Sequence, residues 1–439
     1  MKRFVLALAA IALLGGCSIL RGHHRPTTPT VGQRIPVLGT ESNIEADPTL
    51  ADVPVTIPGP NLNPDWPQPG GNPSKSIGHV ALGPTPTQIW SVSIGRGDSA
   101  AGRLAAEPVV ADGRIYTIDT MAQVRAYAAD TGALIWQHEV RGAHSRRATL
   151  YGGGVSYDSG RLYVTNGSGD VACLEAATGN QVWIVKPGGP LRAAPTIGND
   201  TVWVLSQDNQ LYALNIANGE LRWQAAGSFE LSGVFGAASP AFAQSTLVAG
   251  YASGELTAYR YENGQVTWQD ALARTGISTT VGQLSDIDAD PVIDNGRVFA
   301  IGQGGRMVAV ELITGQRVWE LNAAGLSTPA VGGDWVFVVT DRAQLLAVAR
   351  SSGRVRWISQ LPRWRNEHNH SGPIFWRGPV LAGNRLVLAS STGQIVFASP
   401  VDGRVVQTIE HRTPISLPPI VANNVLYILD DDARLTAFR

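Results

Sequence analysis

The sequence predicts an all-β protein, an eight-bladed β-propeller of four-stranded antiparallel blades. Three observations predict it. One short phrase recurs eight times along most of the chain. Each copy carries the signals of four short strands. The composition is rich in turn and aromatic residues, with 49 Gly and 12 Trp against 3 Met in 439 residues. Four short antiparallel strands repeated about every 44 residues match a propeller blade. No 3.6-residue period spans a repeat, which excludes a helical solenoid. Apolar residues make up 44% and charged residues 16%, so a large core is available and general disorder is excluded. The formal net charge is −1. With no basic excess to neutralise phosphates, nucleic acid is not an expected partner.

The chain opens with Lys2 and Arg3, then an eleven-residue apolar run from Phe4 to Leu14. That run is too short for a spanning helix, which needs about 20 residues, and fits the apolar region of a secretory leader. Small residues follow in Leu14-Gly15-Gly16-Cys17, which resembles a lipoprotein cleavage box. The resemblance implies a leader over 1–16 and acylation of Cys17. Ser18, where Asp would resemble an inner-membrane retention signal, favours the outer membrane. Residues 17–64 hold eight Pro and no hydrophobic period, and read as a lipidated Cys followed by a disordered tether. The propeller is expected over 65–439.

Within it, Val124-Arg125-Ala126-Tyr127 leads through a turn to Thr131-Gly132 and then Trp136. The phrase returns as VACLEAATGNQVW, LYALNIANGELRW, LTAYRYENGQVTW, MVAVELITGQRVW and LLAVARSSGRVRW, more weakly as IVFASPVDGRVVQ, and last as LTAFR. A small-residue slot falls at Ala126, Cys173, Ala213, Ala258, Ala309, Ala347, Phe397 and Ala437. Turns such as Asp112-Gly113 and Asn295-Gly296 separate the first two strands. Asn218-Gly219 and Asn263-Gly264 precede the fourth, and are read as hairpin turns with positive φ at both central residues.

The fourth strand bears a Trp at 136, 183, 223, 268, 319 and 357. Its recurrence once per blade predicts a wedge between neighbouring sheets. The seventh copy has Gln407 there and the eighth stops short. Pro86-Thr87-Gln88-Ile89-Trp90 supplies the missing strand, so the first strand is expected to pair with the last blade and close the ring. Cys173 occupies a packing slot. Once Cys17 is acylated it has no disulfide partner.

The phrase running from Ala126 to Trp136 resembles the repeat of pyrroloquinoline-quinone-type propellers. Periplasmic quinoprotein dehydrogenases share it, as does the BamB family of outer-membrane assembly lipoproteins. Two further segments are similar to the BamB family in particular: Pro190-Leu191-Arg192-Ala193-Ala194-Pro195, and Leu284-Ser285-Asp286-Ile287-Asp288-Ala289-Asp290-Pro291-Val292. The resemblance implies that Leu191, Arg192, Asp286 and Asp288 contact the periplasmic domains of BamA, the barrel-inserting subunit. It also implies other assembly-complex subunits as partners, unfolded outer-membrane proteins as clients, and a lipid-anchored place on the outer membrane facing the periplasm. Both segments precede the first strand of a blade, the third and the fifth, so both lie on the rim that carries the inter-blade crossovers. Asp286 and Asp288 can complement a basic partner or hold groups such as Arg192 in place.

Chemistry is sparse. The dehydrogenase alternative calls for a calcium ion, an acidic base and, in many members, adjacent cysteines, and no adjacent cysteines occur here. Asp286, Asp288 and Asp290 alternate like the start of a calcium loop, but Pro291 stands where a Gly is needed and Arg297 where a Glu is needed. His368 and His370 lack a third zinc ligand nearby. No nucleophile elbow or phosphate loop is present. No catalytic residue, metal or cofactor is expected, and a non-catalytic scaffold is the reading carried forward. A carbohydrate-binding propeller has only the fold in its favour.

Overall fold

The computed structural model describes residues 44–439, except 101, 144, 146–151, 229–237, 273–285 and 304. The leader, Cys17, Leu284 and Ser285 lie outside the described residues. Eight four-stranded antiparallel sheets follow one another, and each runs in sequence order from an inner to an outer strand. Blade 1 comprises Val109–Ala111, Arg114–Ile118, Gln123–Ala128 and Leu134–Glu139. Blade 8 comprises Ile420–Ala422, Val425–Leu429 and Arg434–Phe438, with Gln88–Ser93 as its outer strand. The ring therefore closes as the sequence predicts, with Trp90 opposite Ala437.

The small-residue slot and the Trp slot are cross-strand partners. Ala126 faces Trp136, Cys173 faces Trp183, Ala213 faces Trp223, and Phe397 faces Gln407. A small residue leaves room for the indole to lean out of its own sheet. Each indole then reaches the next blade and donates to a backbone carbonyl there, at 2.7–3.2 Å in all seven cases. The ring also lies on the next blade's turn glycine. A Cβ on Gly264 would sit 2.5 Å from Trp223 Cε3. The wedge is thus a keyed contact between neighbours. At the seam between blades 7 and 8, Gln407 replaces the indole and accepts from Arg385 Nη1 at 2.9 Å, while Arg385 lies over the Phe397 ring.

One turn assignment changes. Asn218 and Asn263 do not adopt positive φ; only Gly219 and Gly264 do. The Gly219 amide donates to Asn215 O, so a longer α-turn precedes the outer strand and needs one left-handed residue. The paired positive-φ turns sit between the first two strands, as at Asp112-Gly113 and Asn295-Gly296. Cys173 is fully buried in its slot, and burial pushes its thiol above the usual range.

The largest departure concerns the segment ahead of the first strand. Residues 44–64 were expected in the tether, yet they pack on the ring. Asp47 N donates to Val355 O on the outer strand of blade 6, and Val55 joins the core around Trp335 and Trp357. The chain then runs along the inner strands as a belt. Asn63 O accepts from Asn423 N in blade 8. Trp66 exchanges two backbone hydrogen bonds with Val110 in blade 1. Pro67 O accepts from Tyr157 in blade 2, and the Gln68 amide pairs with Ile197 in blade 3. Pro73 O and Ser74 O accept from Phe242 and Ile293 in blades 4 and 5, and Val80 N donates to Leu381 O in blade 7. Thr56 and Pro58 pass over Gly333 of blade 6. Every blade is touched. Inner strands would otherwise leave a row of unpaired amides and carbonyls along the channel, and the belt satisfies many of them.

Candidate functional site: the crossover rim and the channel behind it

In an A-B-C-D blade, the turns between strands one and two and between three and four share one end. Crossovers between blades lie at the other. The belt contacts cluster at the turn end, at Asp112, Gly333, Gly383 and Asn423. The crossovers therefore bound the opposite end of the channel.

The structure brings two of the predicted site residues together. Arg192 leaves the crossover into blade 3 and Asp288 the crossover into blade 5. Arg192 Nη2 lies 3.0 Å from Asp288 Oδ1, with side chains only 3% and 6% exposed. The Arg192–Asp288 pair is a clasp between two crossovers that skips blade 4. Burial pushes the Asp288 carboxyl up to about 7, against the opposing pull of Arg192. Of the two roles open to the carboxylates, holding Arg192 in place is the one this geometry provides for Asp288. Leu191 does not stand out as an anchor: it is fully buried in a cluster with Tyr163, Cys173, Trp183 and Ile197. Asp286 is also fully buried. Both side chains lie inward of the rim's surface in the chain without a partner.

The third Asp of the alternating run turns elsewhere. Asp290 accepts from Ser239 N at 2.6 Å, and burial raises its carboxyl. Among the described residues, no group of three or more His, Cys, Asp or Glu is placed to hold a metal ion. His368 and His370 sit on an exposed hairpin formed by Trp364–Asn366 and Ser371–Pro373, where the His370 ring is 5.9 Å from that of Trp364.

Behind the rim, the crossovers and the belt enclose a cavity of about 550 Å³. Sequence reading did not find it, because its charged lining comes from distant segments. Arg377, on the inner strand of blade 7, donates to Ser416 O and Leu326 O and so ties the crossovers on both sides. Glu107 is a half-buried residue of the cavity wall. Burial, reinforced by Asp290, lifts its carboxyl to about 8, against the pull of Lys75 and the Gly70 amide. Lys75, from the belt, is pushed down by burial.

A family model described as outer membrane protein assembly factor BamB matches residues 77–146, 120–359 and 362–439. The chain belongs to the BamB family. The outer membrane protein assembly factor BamB of Salmonella typhimurium is 29% identical over 359 residues, covering 80% of this chain and 88% of that protein. The crystal structure of BamB from Moraxella catarrhalis superposes with a TM-score of 0.69 at 19% identity, covering 81% of this chain and all of that one. A quinohemoprotein alcohol dehydrogenase from Comamonas testosteroni reaches a TM-score of 0.66 at 14% identity, covering 85% of this chain and 80% of its own. Both structural likenesses show a shared propeller fold alone. Family membership favours the non-catalytic BamB scaffold over the dehydrogenase. The family match begins at residue 77, so most of the belt lies outside it.

Proposed function

We propose that the chain is a scaffold of the machinery that inserts β-barrel proteins into the outer membrane, docking through its crossover rim on the periplasmic domains of BamA. The BamB-family match across 77–439 carries this reading. Family membership places the protein at the outer membrane, facing the periplasm, in a non-catalytic role. The finer assignments are ours. Residues 1–16 act as a leader, Cys17 carries the lipid, and the tether ends where the chain meets blade 6 near Asp47. No helix among the described residues is long and apolar enough to cross a membrane. An acylated Cys17 supplies attachment in this reading.

The clasp supports docking by fixing the shape of the rim, since two crossovers joined by a buried ion pair present one rigid surface. The outer strands offer a second surface. Leu134, Leu221 and Val266, each two residues before the Trp, are more than half exposed beside the outer sheet edges, which suits strand addition by an unfolded barrel protein. The equivalent Val355 in blade 6 is covered by the chain's own Asp47 region and only 2% exposed.

Calorimetry of the full chain against the soluble periplasmic domains of its own organism's BamA tests the docking. Binding that weakens about tenfold in Arg192→Ala, with the ring still folded by circular dichroism, is the expected outcome. Unchanged affinity in both Arg192→Ala and Asp286→Ala would overturn the assignment of this rim.

A further inference from the structure

We propose that the channel cavity is a binding site for a small zwitterion with apolar side chains, of the hydrophobic dipeptide class. Its volume of about 550 Å³ falls within the range of small-molecule sites. Much of its wall is apolar, with Leu104, Leu326, Pro329, Val380 and Leu417 among the lining residues. Two buried polar atoms of opposite character complete it. Lys75 Nζ, a donor, and Asp288 Oδ2, an acceptor, have no hydrogen-bond partner among the described residues. Both residues line the cavity.

Buried polar atoms in folded proteins are nearly always hydrogen-bonded, because leaving one unpaired forfeits its hydration without return. Here one ligand can satisfy both. A terminal carboxylate answers the Lys75 ammonium, and a terminal ammonium answers the free oxygen of Asp288, whose other oxygen is held by Arg192. Apolar side chains of the ligand then meet the apolar wall. Entry is available where exposed Phe375 and Arg103 mark the cavity's contact with solvent. Lys75 lies on the belt, ahead of the residues that match the family model. The site shares Asp288 with the clasp, whereas Lys75 and Phe375 take no part in the clasp, so their variants test the cavity separately from docking on BamA.

The test is calorimetry of the full chain with L-leucyl-L-leucine, alongside the blocked N-acetyl-leucyl-leucinamide, which lacks both charges. Saturable one-to-one binding of the free dipeptide is expected, at least about tenfold tighter than the blocked one. Lys75→Met removes the donor, and Asp288→Asn replaces the acceptor with a donor. Each should weaken binding by about tenfold or more. Phe375→Ala, at the exposed mouth, should weaken it a few-fold and serves if either buried variant fails to fold. A folded wild type that shows no saturable binding at millimolar dipeptide would overturn the proposal, leaving a channel that only holds water. So would equal affinity for the free and blocked compounds.

Discussion

Trp223→Ala should cost the ring about 3–5 kcal/mol, the range for truncating a buried Trp. The indole is only 9% exposed. Its Nε1 donates to Tyr261 O at 2.8 Å, and about 1 kcal/mol of the loss is that hydrogen bond. The remainder is packing across the seam, where the ring lies 6.2 Å from that of Tyr259 and directly on Gly264. Gly264 allows the contact to be dissected. It holds φ at +71°, so an Ala there pays roughly 1–2 kcal/mol for the left-handed conformation whatever its surroundings. Its Cβ would also meet Trp223 Cε3 at 2.5 Å, an overpacking cost of about 1–3 kcal/mol. Removing the indole relieves the second cost and not the first. The double variant should therefore be more stable than the sum of the single losses predicts, by about 1–3 kcal/mol. Urea unfolding of the full chain and the three variants, followed by circular dichroism, measures this. Additivity within about 0.5 kcal/mol, or a Trp223→Ala loss below about 1 kcal/mol, would show that the indole does not key one blade to the next.

Three further outcomes are expected. Deleting residues 80–94 removes the strand that pairs with Arg434–Phe438 and the last of the belt, and should lower the unfolding midpoint of the whole domain; an unchanged midpoint would refute closure through Gln88–Ser93. Arg192→Ala should cost about 3–5 kcal/mol by leaving Asp288 buried alone, whereas replacing both partners with Leu should recover most of the loss; chemical unfolding of the two variants decides it. Glu107 has its folded pKa raised to about 8, so its contribution to stability is present below the ordinary carboxylate range and lost as pH rises through about 8. Glu107→Gln should therefore gain on the wild type between pH 5 and pH 9, and parallel pH profiles would refute the assignment.

The repeat was legible because its physics is local. A small residue opposite a Trp, and a Gly where the neighbour's indole lands, recur at seven of the eight seams between blades, so one contact writes itself repeatedly along the chain. The interruption at Gln407 was legible for the same reason, and the structure fills it with Arg385. The belt was not legible. Its hydrogen bonds use backbone atoms of Trp66, Pro67, Pro73 and Ser74, which leave no side-chain pattern, and its prolines look like those of a tether. Proline suits the role: a segment that accepts from many different strands needs carbonyls more than amides. The site residues were half legible. Spacing placed Arg192 and Asp288 on one rim, but only the fold shows that they face each other and that Leu191 and Asp286 lie inward.

The two ends of the channel therefore answer to different constraints. At the turn end, the belt must match backbone positions on nearly every blade, and a shift in any one strand would break several of its hydrogen bonds together. At the crossover end, each segment bonds through its backbone to the turns of the blades it joins, as where Gln207 N donates to Pro190 O and Asp431 N to Pro414 O. Contacts such as the Arg192–Asp288 clasp or the Arg377 staple then fix its course. A loop held by a few side chains can change sequence without disturbing the blades beneath it. A surface that must fit a partner is most easily built where such freedom exists. In the proposed docking the crossover rim would be the face that recognises, while the belted face holds the ring together.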